Sequence, residues 1–225
     1  MSGKKFVVAL MLVTAVLITV TGIYYGQSFI RMLPLYLSLV AMYMQSEVNR
    51  FAPLLAGICS FLYAIVYIYY GLYALAIYAV VLCGPLQIVT FFRWKKRAYG
   101  QSVMLRRMSW KARILNLATF CAAWFVLYII MRALGSSYTV FDNLSSLLGG
   151  WTTFLTIFAF VEYIWVTILS VLCNIVLYSS MLADAPEQIT YLIYTVYALI
   201  CSCLAVEKAK KLWKEQNSCQ EEKKS

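Results

Sequence analysis

The stretch "ICSFLYAIVYIYYGL" (Ile58–Leu72) returns 110 residues later in a similar form, "ILSVLCNIVLYSSML" (Ile168–Leu182). Six of the fifteen paired positions are identical, and neither stretch contains a charged residue. Each stretch is long and apolar enough to form most of a membrane-spanning helix. The similarity predicts a duplication of the surrounding chain, although two apolar helices also share some Leu, Ile and Val by chance.

The composition is that of an integral membrane protein. Hydrophobic residues make up 63% of the 225 residues and charged residues 12%, against about one quarter charged in a soluble domain. Apolar runs of roughly 18–22 residues suit helices that cross the bilayer, and not the alternating segments of about ten residues of a membrane barrel. The predicted spans are residues 6–25, 29–45, 51–70, 72–92, 114–134, 144–161, 163–180 and 189–206.

Basic residues concentrate in two segments, 93–113 and 207–225, and they predict the orientation. With both segments in the cytoplasm, 17 of the 19 Lys and Arg residues are inside and only Arg31 and Arg132 are outside, as the positive-inside rule requires. The net charge of +10 then needs no nucleic-acid partner. We predict a multi-pass protein of the cell membrane with both termini cytoplasmic. The first span is predicted to be retained; cleavage as a signal peptide is the alternative.

The duplication divides the chain into units. These are an extra N-terminal helix (1–28), a first three-helix repeat (29–92), a basic cytoplasmic loop (93–113), a linker helix (114–134), a second three-helix repeat (144–206) and a basic cytoplasmic tail (207–225). Three spans plus the linker make an even number, so both repeats enter the membrane from the same side. Parallel repeats recur in transporters, where the substrate lies between them near the midplane.

Two stripes of polar residues are candidates for a substrate route. Residues on span 163–180 recur at spacings of four, three, four and four, on one face of a helix: Tyr163, Thr167, Ser170, Asn174 and Tyr178. Span 51–70 carries a matching stripe of Ser60, Tyr63, Tyr67 and Tyr70. Polar groups are costly in the membrane core unless they face a partner or a wet cavity. Close helix packing through Ser and Thr is the alternative.

The fourth span contains "CGPLQ" (83–87), in which Gly84 and Pro85 predict a bend. The bend is either a hinge beside Gln87 or a static packing kink. In the sixth span, Trp151 precedes three threonines that are candidates to line the same space: Thr152, Thr153 and Thr156.

Acidic residues are few. Glu162 is expected to cap the seventh span, with proton coupling as the alternative, whereas Asp142, Asp184 and Glu187 are expected in solvated external turns.

Features of catalytic and metal sites are missing from the sequence. The chain has no histidine, and its seven cysteines are best explained as apolar filler. It also lacks a phosphate-binding glycine loop and a nucleophile–base pair. We therefore predict no enzyme activity, no cofactor, no metal and no ATP motor within the chain.

Several motifs resemble the PnuC-type vitamin transporter family. They are "GLYALAIYAVVLCGPLQIVTFFRWKKR" (71–97), "RRMSWKAR" (106–113), "FDNLSSLLGG" (141–150) and "FVEYIW" (160–165), and the similarity covers roughly residues 29–215. The resemblance implies an all-α fold of two parallel three-helix repeats joined by a linker helix, akin to the SWEET sugar carriers. It also implies facilitated uptake of nicotinamide riboside, or of thiamine or riboflavin in relatives, with a cytoplasmic kinase that traps the substrate.

The chain departs from the family pattern after its Val-Glu pair. Nicotinamide riboside carriers usually have two Trp there, where this chain has Ile164 and Thr167, with Trp165 adjacent. The family asparagine falls on Val171, and Asn174 lies one turn further. Nicotinamide riboside is the more frequent substrate in the family, but these departures strengthen the case for thiamine.

The sequence thus predicts a facilitative carrier of a small vitamin, most simply nicotinamide riboside. The predicted substrate-binding residues are Gln87, Trp165, Asn174, Ser170, Thr167, Tyr63, Ser60, Tyr67 and Trp151. A thiamine or riboflavin carrier, a binding subunit of an ATP-driven importer and a structural scaffold remain alternatives. A homo-oligomer is left open.

Overall fold

The computed structural model describes residues 3–133 and 139–222, which are almost entirely helical. The helices are α1 (Gly3–Tyr24), α2 (Phe29–Ser46), α3 (Ala52–Tyr69), α4 (Tyr73–Ile77), α5 (Gly84–Lys96), α6 (Trp110–Ala133), α7 (Thr139–Ile157), α8 (Tyr163–Met181) and α9 (Ile189–Glu222). A π-helical segment (Tyr78–Cys83) joins α4 to α5, and a 3-10 turn (Pro186–Gln188) precedes α9. Strands β1 (Ala98–Tyr99) and β2 (Ser102–Val103) form an antiparallel hairpin. Residue 134, the predicted end of the linker helix, and residues 1–2 and 223–225 lie outside the described residues.

Six helical segments of the described chain are long and apolar enough to cross a membrane. They are Lys5–Tyr24, Ala52–Tyr69, Tyr73–Lys96, Trp110–Ala133, Tyr163–Met181 and Pro186–Ser218. Helices α2 and α7, which were predicted as spans, are not among these six. Polar residues account for this in α7, where Asp142, Asn143 and Ser145 are buried against other helices and not exposed to lipid.

The last helix is longer than predicted. The final span was expected to end at residue 206, but α9 continues to Glu222. Ala209, Leu212 and Gln216 are buried at spacings of three and four, so this extension has an apolar face that packs on the protein. The predicted cytoplasmic tail is therefore largely a continuation of the last helix.

We call α2, α3 and α4–α5 the first triplet and α7, α8 and α9 the second triplet. In the first, α3 packs against α2 and α5; in the second, α8 packs against α7 and α9. Across the triplets, α2 packs against α9 and α5 against α7, so the first helix of each contacts the last helix of the other. Helix α1 lies outside against α2 and α9, and α6 lies outside against α7.

One end of the bundle carries most of the Lys and Arg residues, and we name it the basic end. Here α2, α5 and α7 end and α3, α6 and α8 begin. The loops are joined by backbone hydrogen bonds from Arg50 to Gln101 (3.0 Å) and from Arg106 to Ala159 (2.8 Å). Helices α2 and α7 both end here, so these two helices run in the same direction through the bundle.

A compact apolar cluster closes the basic end. It contains Trp94, Val103, Leu105, Tyr163 and Leu212, all buried, so it joins α5, the hairpin, α8 and the extension of α9. A larger core runs along α1, α2, α8 and α9. The space between the triplets lies beside both cores, and the candidate site is found there.

Candidate substrate site

A cavity of about 230 Å³ lies between the two triplets. All six triplet helices contribute to its wall, whereas α1 and α6 contribute none of its lining residues. The polar and aromatic lining residues are Gln45, Tyr67, Tyr78, Gln87, Trp94, Ser145, Thr152, Thr153, Thr156, Tyr163, Thr167, Ser170, Asn174 and Tyr194. The volume is below the roughly 300–1,000 Å³ of pockets for drug-sized ligands, so the cavity suits a small molecule.

The face of α8 that was predicted as a polar stripe lines this cavity. Tyr163, Thr167, Ser170 and Asn174 all contribute to the wall, while Tyr178 is buried beyond it. The hydroxyl of Ser145 donates a hydrogen bond of 2.8 Å to Asn174 Oδ1. The amide nitrogen of Asn174 makes no hydrogen bond to any other described residue, so it is available as a donor to a ligand.

Three further polar atoms of lining residues are buried and have no hydrogen-bond partner among the described residues. They are Gln87 Oε1, Thr152 Oγ1 and Tyr163 Oη. A buried polar atom without a partner costs about 1–3 kcal/mol. Such atoms are rare in folded proteins. A polar ligand or water in the cavity would supply the bonds that these three atoms lack.

Tyr78 and Trp94 connect the two triplets across the cavity. The hydroxyl of Tyr78 is hydrogen-bonded to that of Thr153 on α7 at 3.1 Å, and the indole N–H of Trp94 donates to the carbonyl oxygen of Thr156 at 2.8 Å. Tyr78 also packs closely against α7, since a Cβ at Gly149 would come within 2.9 Å of its ring. The aromatic groups therefore have defined positions in the wall.

The fourth predicted span is one helical segment that changes from π-helix to α-helix where a bend was expected. The π-helical segment ends at Cys83, and Gly84 and Pro85 then begin α5. Gly84 allows close packing here, because a Cβ would come within 2.5 Å of the Phe61 ring. Gly57 has the same role on α3, where a Cβ would lie 3.2 Å from the carbonyl oxygen of Gly84. A role of Gly84 and Pro85 as a hinge stays a prediction.

The structure brings together five of the nine predicted site residues. Gln87, Asn174, Ser170, Thr167 and Tyr67 line the cavity. They come from three helices and both triplets.

Two more predicted residues lie just behind the wall. Ser60 is buried and donates to the carbonyl oxygen of Ala56 at 2.9 Å. Tyr63 stacks on Tyr67, with ring centroids 5.6 Å apart.

The two predicted tryptophans do not line the cavity. Trp151 packs on Phe120 of α6, with ring centroids 4.9 Å apart. Trp165 is 55% exposed and lies beside Lys210. Both face away because a helix turns by about 100° per residue: Thr152, one position after Trp151, and Tyr163, two positions before Trp165, face the cavity instead.

Two expectations about acidic residues are corrected. Asp142 is not in a solvated turn: its side chain is fully buried in the first turn of α7. Glu162 precedes α8 as expected, but its side chain makes no capping hydrogen bond. Its carboxylate instead accepts the backbone N–H of Met108 and pairs with Arg113.

No charged side chain of the described residues lines the cavity. Its wall therefore combines neutral hydrogen-bonding groups with aromatic faces. Tyr78, Ser145 and Tyr194 also line the cavity but were not predicted, because the sequence of one helix does not show which of its faces meets another helix.

Comparison with known proteins identifies the family. The profile of the family described as nicotinamide mononucleotide transporters matches residues 47–207. This chain belongs to that family. The members of this family are multi-pass membrane transporters. The protein is therefore a transporter and not an enzyme. The resemblance to PnuC-type transporters that the motifs suggested is confirmed.

A solved structure agrees with this assignment at the level of fold. The structure is similar to one described as the crystal structure of the Vitamin B3 transporter PnuC, with a TM-score of 0.81 and 18% sequence identity. The similarity covers 94% of this chain and 93% of that chain. No curated protein sequence matches the chain.

Proposed function

We propose that this member of the nicotinamide mononucleotide transporter family is a facilitative transporter of nicotinamide riboside. The observation that carries the proposal is the cavity between the triplets, which combines aromatic faces with unpaired neutral polar atoms. The pyridinium ring of nicotinamide riboside is cationic, and aromatic faces such as those of Tyr67 and Tyr78 attract a cation. Its amide and ribose hydroxyls suit the free groups of Gln87, Thr152 and Asn174.

The absence of charge in the cavity wall favours the riboside over its phosphorylated form. The family description names nicotinamide mononucleotide, which carries a phosphate. Burying an anion without a paired cation is costly, and none of the described residues in the wall is Lys or Arg. We therefore propose that the phosphate has to be absent before the substrate enters.

Thiamine is the second candidate substrate, because it is also a small aromatic cation. The same uncharged aromatic wall accepts it on electrostatic grounds, and the two Trp positions of nicotinamide riboside carriers hold Ile164 and Thr167 in this chain. Riboflavin is neutral and larger, so a cavity of about 230 Å³ favours it least.

Transport by alternating access would use the interface between the triplets. We take the basic end as cytoplasmic because of its Lys and Arg residues. At this end of the cavity wall, Val48, Trp94 and Tyr163 are nearly inaccessible, and Leu72 and Tyr191 toward the opposite end of the bundle are equally buried. Rocking of one triplet against the other would open one end at a time. A cytoplasmic kinase that phosphorylates the released substrate would then prevent its return.

Uptake by the purified protein in sealed liposomes tests this function. Labelled nicotinamide riboside should equilibrate across the membrane without ATP, and unlabelled nicotinamide mononucleotide should not compete. Gln87→Ala should reduce uptake without preventing insertion. Equilibration of thiamine alone would establish the second candidate.

Two other outcomes would reject the proposal. Binding of ligand without equilibration indicates a subunit of an ATP-driven importer. Absence of both binding and uptake indicates a structural role.

A further inference from the structure

A second pocket lies at the basic end, on the outer side of α8 and α9. Its volume is about 490 Å³, and it shares no lining residue with the central cavity. The lining residues are Arg107, Arg113, Val161, Glu162, Trp165, Lys210, Trp213 and Lys214. The pocket thus combines four basic side chains, one carboxylate and two indole rings.

The charges in this pocket do not balance. Arg113 pairs with Glu162, which neutralises both. Arg107, Lys210 and Lys214 form no salt bridge with any described carboxylate. The ammonium group of Lys210 lies over the ring of Trp165, 5.5 Å from its centroid, so it is held at the pocket. Three cations without counter-charges give this pocket a positive potential that attracts anions.

An exposed apolar stripe leads from the pocket along α8. It consists of Trp165, Leu169, Leu172 and Val176, which recur at spacings of four, three and four, on one helix face. Their exposed fractions are 55%, 52%, 43% and 46%. The stripe begins at Trp165 in the basic pocket and runs toward the middle of the bundle. In a membrane, acyl chains would cover it.

We propose that this pocket binds the phosphate of an anionic phospholipid headgroup, with an acyl chain of the same lipid along the α8 stripe. Basic clusters at the ends of membrane helices attract anionic lipids, at about 1 kcal/mol per Lys or Arg. Tryptophans favour the level of the headgroups, where Trp165 would lie. A soluble phosphate compound would satisfy the cations but would leave the stripe unused. This site is independent of the transported substrate.

Quenching of tryptophan fluorescence by lipids with brominated acyl chains tests the proposal on the full chain in detergent micelles. Brominated phosphatidylglycerol should quench at a lower concentration than brominated phosphatidylcholine, and Trp165→Phe should remove most of that difference. Lys210→Ala and Arg107→Gln should each weaken the phosphatidylglycerol effect about fivefold. Both substituted side chains lie at the surface, so folding should be retained.

Lys211→Ala is the matched control, because Lys211 is exposed on the same helix but does not line the pocket. It should leave the quenching unchanged. If Lys211→Ala weakened the quenching as much as Lys210→Ala does, the lipid would be attracted by the basic residues in general and not bound in this pocket. That result would overturn the proposal. Full competition by millimolar inorganic phosphate would also overturn it, in favour of a soluble phosphate ligand.

Discussion

The carboxylate of Asp142 on α7 accepts the backbone N–H of Leu75 on α4 at 3.1 Å. Its other oxygen accepts the N–H of Ala74, also at 3.1 Å. The first N–H groups of a helix have no partner within that helix, so a side chain of the second triplet caps the short helix of the first. This contact joins the triplets at the end of the bundle opposite the basic end.

Asp142→Ala should therefore destabilise the protein strongly, by about 2–4 kcal/mol, because two buried N–H groups lose their acceptor. Thermal unfolding in detergent should show the loss as a clearly lower midpoint. Asp142→Asn keeps one acceptor oxygen and should be intermediate. The control is Glu215→Ala, at an exposed position, where a change within about 0.5 kcal/mol is expected. Equal midpoints for Asp142→Ala and the wild type would contradict this account of the cap.

Asn174→Ala should weaken substrate binding more than stability. The substitution removes a side-chain amide that faces the cavity and bonds only to Ser145 among the described residues. A loss of about 1–2 kcal/mol corresponds to a Kd that is roughly 5- to 30-fold higher, measured by titration with nicotinamide riboside. Asn116→Ala on α6 is the matched control, since Asn116 bonds to the Ala112 carbonyl outside the cavity. If both variants changed Kd alike, Asn174 would not contact the substrate.

Gly57→Ala should separate α3 from α5. The added Cβ would lie 3.2 Å from the carbonyl oxygen of Gly84 and 3.3 Å from Gln87 Cβ. The backbone carbonyl of Gly84 cannot move aside as a flexible side chain can. We therefore expect the free energy of unfolding to fall by about 1–2 kcal/mol and substrate binding to weaken.

Gly150→Ala provides the comparison for Gly57→Ala. Its Cβ meets only the Tyr78 ring at 3.9 Å, and alanine favours the helix by up to about 1 kcal/mol. The thermal unfolding midpoint of Gly150→Ala should therefore be unchanged or higher than that of the wild type. A fall in both variants would show that helix packing here tolerates no added volume.

Gln216→Ala should loosen the connection at the basic end. The Gln216 amide accepts the N–H of Leu105 and donates to the carbonyl of Val103, both at 2.9 Å and buried. Loss of both bonds should lower the free energy of local opening by about 1–2 kcal/mol. Trypsin should then cleave at Arg106 or Arg97 roughly 5- to 30-fold faster. Asn217→Ala, at the next position, should not change the cleavage rate; similar acceleration in both variants would argue against an anchor at Gln216.

Helical periodicity predicted one wall of the cavity well. The four residues from Tyr163 to Asn174 face the cavity because positions three and four apart share a helix face whatever the rest of the fold does. Nearness in the sequence, by comparison, predicted poorly which residues face the cavity. Trp165 lies between Tyr163 and Thr167 in the chain, yet it is exposed on another face.

Partners on distant helices were beyond sequence reasoning. Nothing local distinguishes Ser145 as the partner of Asn174, or Asp142 as a cap for α4, because each contact joins segments at least 29 residues apart. From the sequence alone, Asp142 was expected in a solvated turn, because its partners Ala74 and Leu75 are distant in the chain.

The amino-acid sequence alone determined that this chain is a helical membrane protein, where most of its helices lie and which end of the bundle is basic. Length, hydropathy and charge are properties of each segment and need no knowledge of its neighbours. Only the tertiary structure decided which helix faces meet, which polar atoms remain unpaired around the cavity and that Trp165 belongs to a separate basic pocket. Those features depend on the rotation and depth of each helix, which are set by packing against the others.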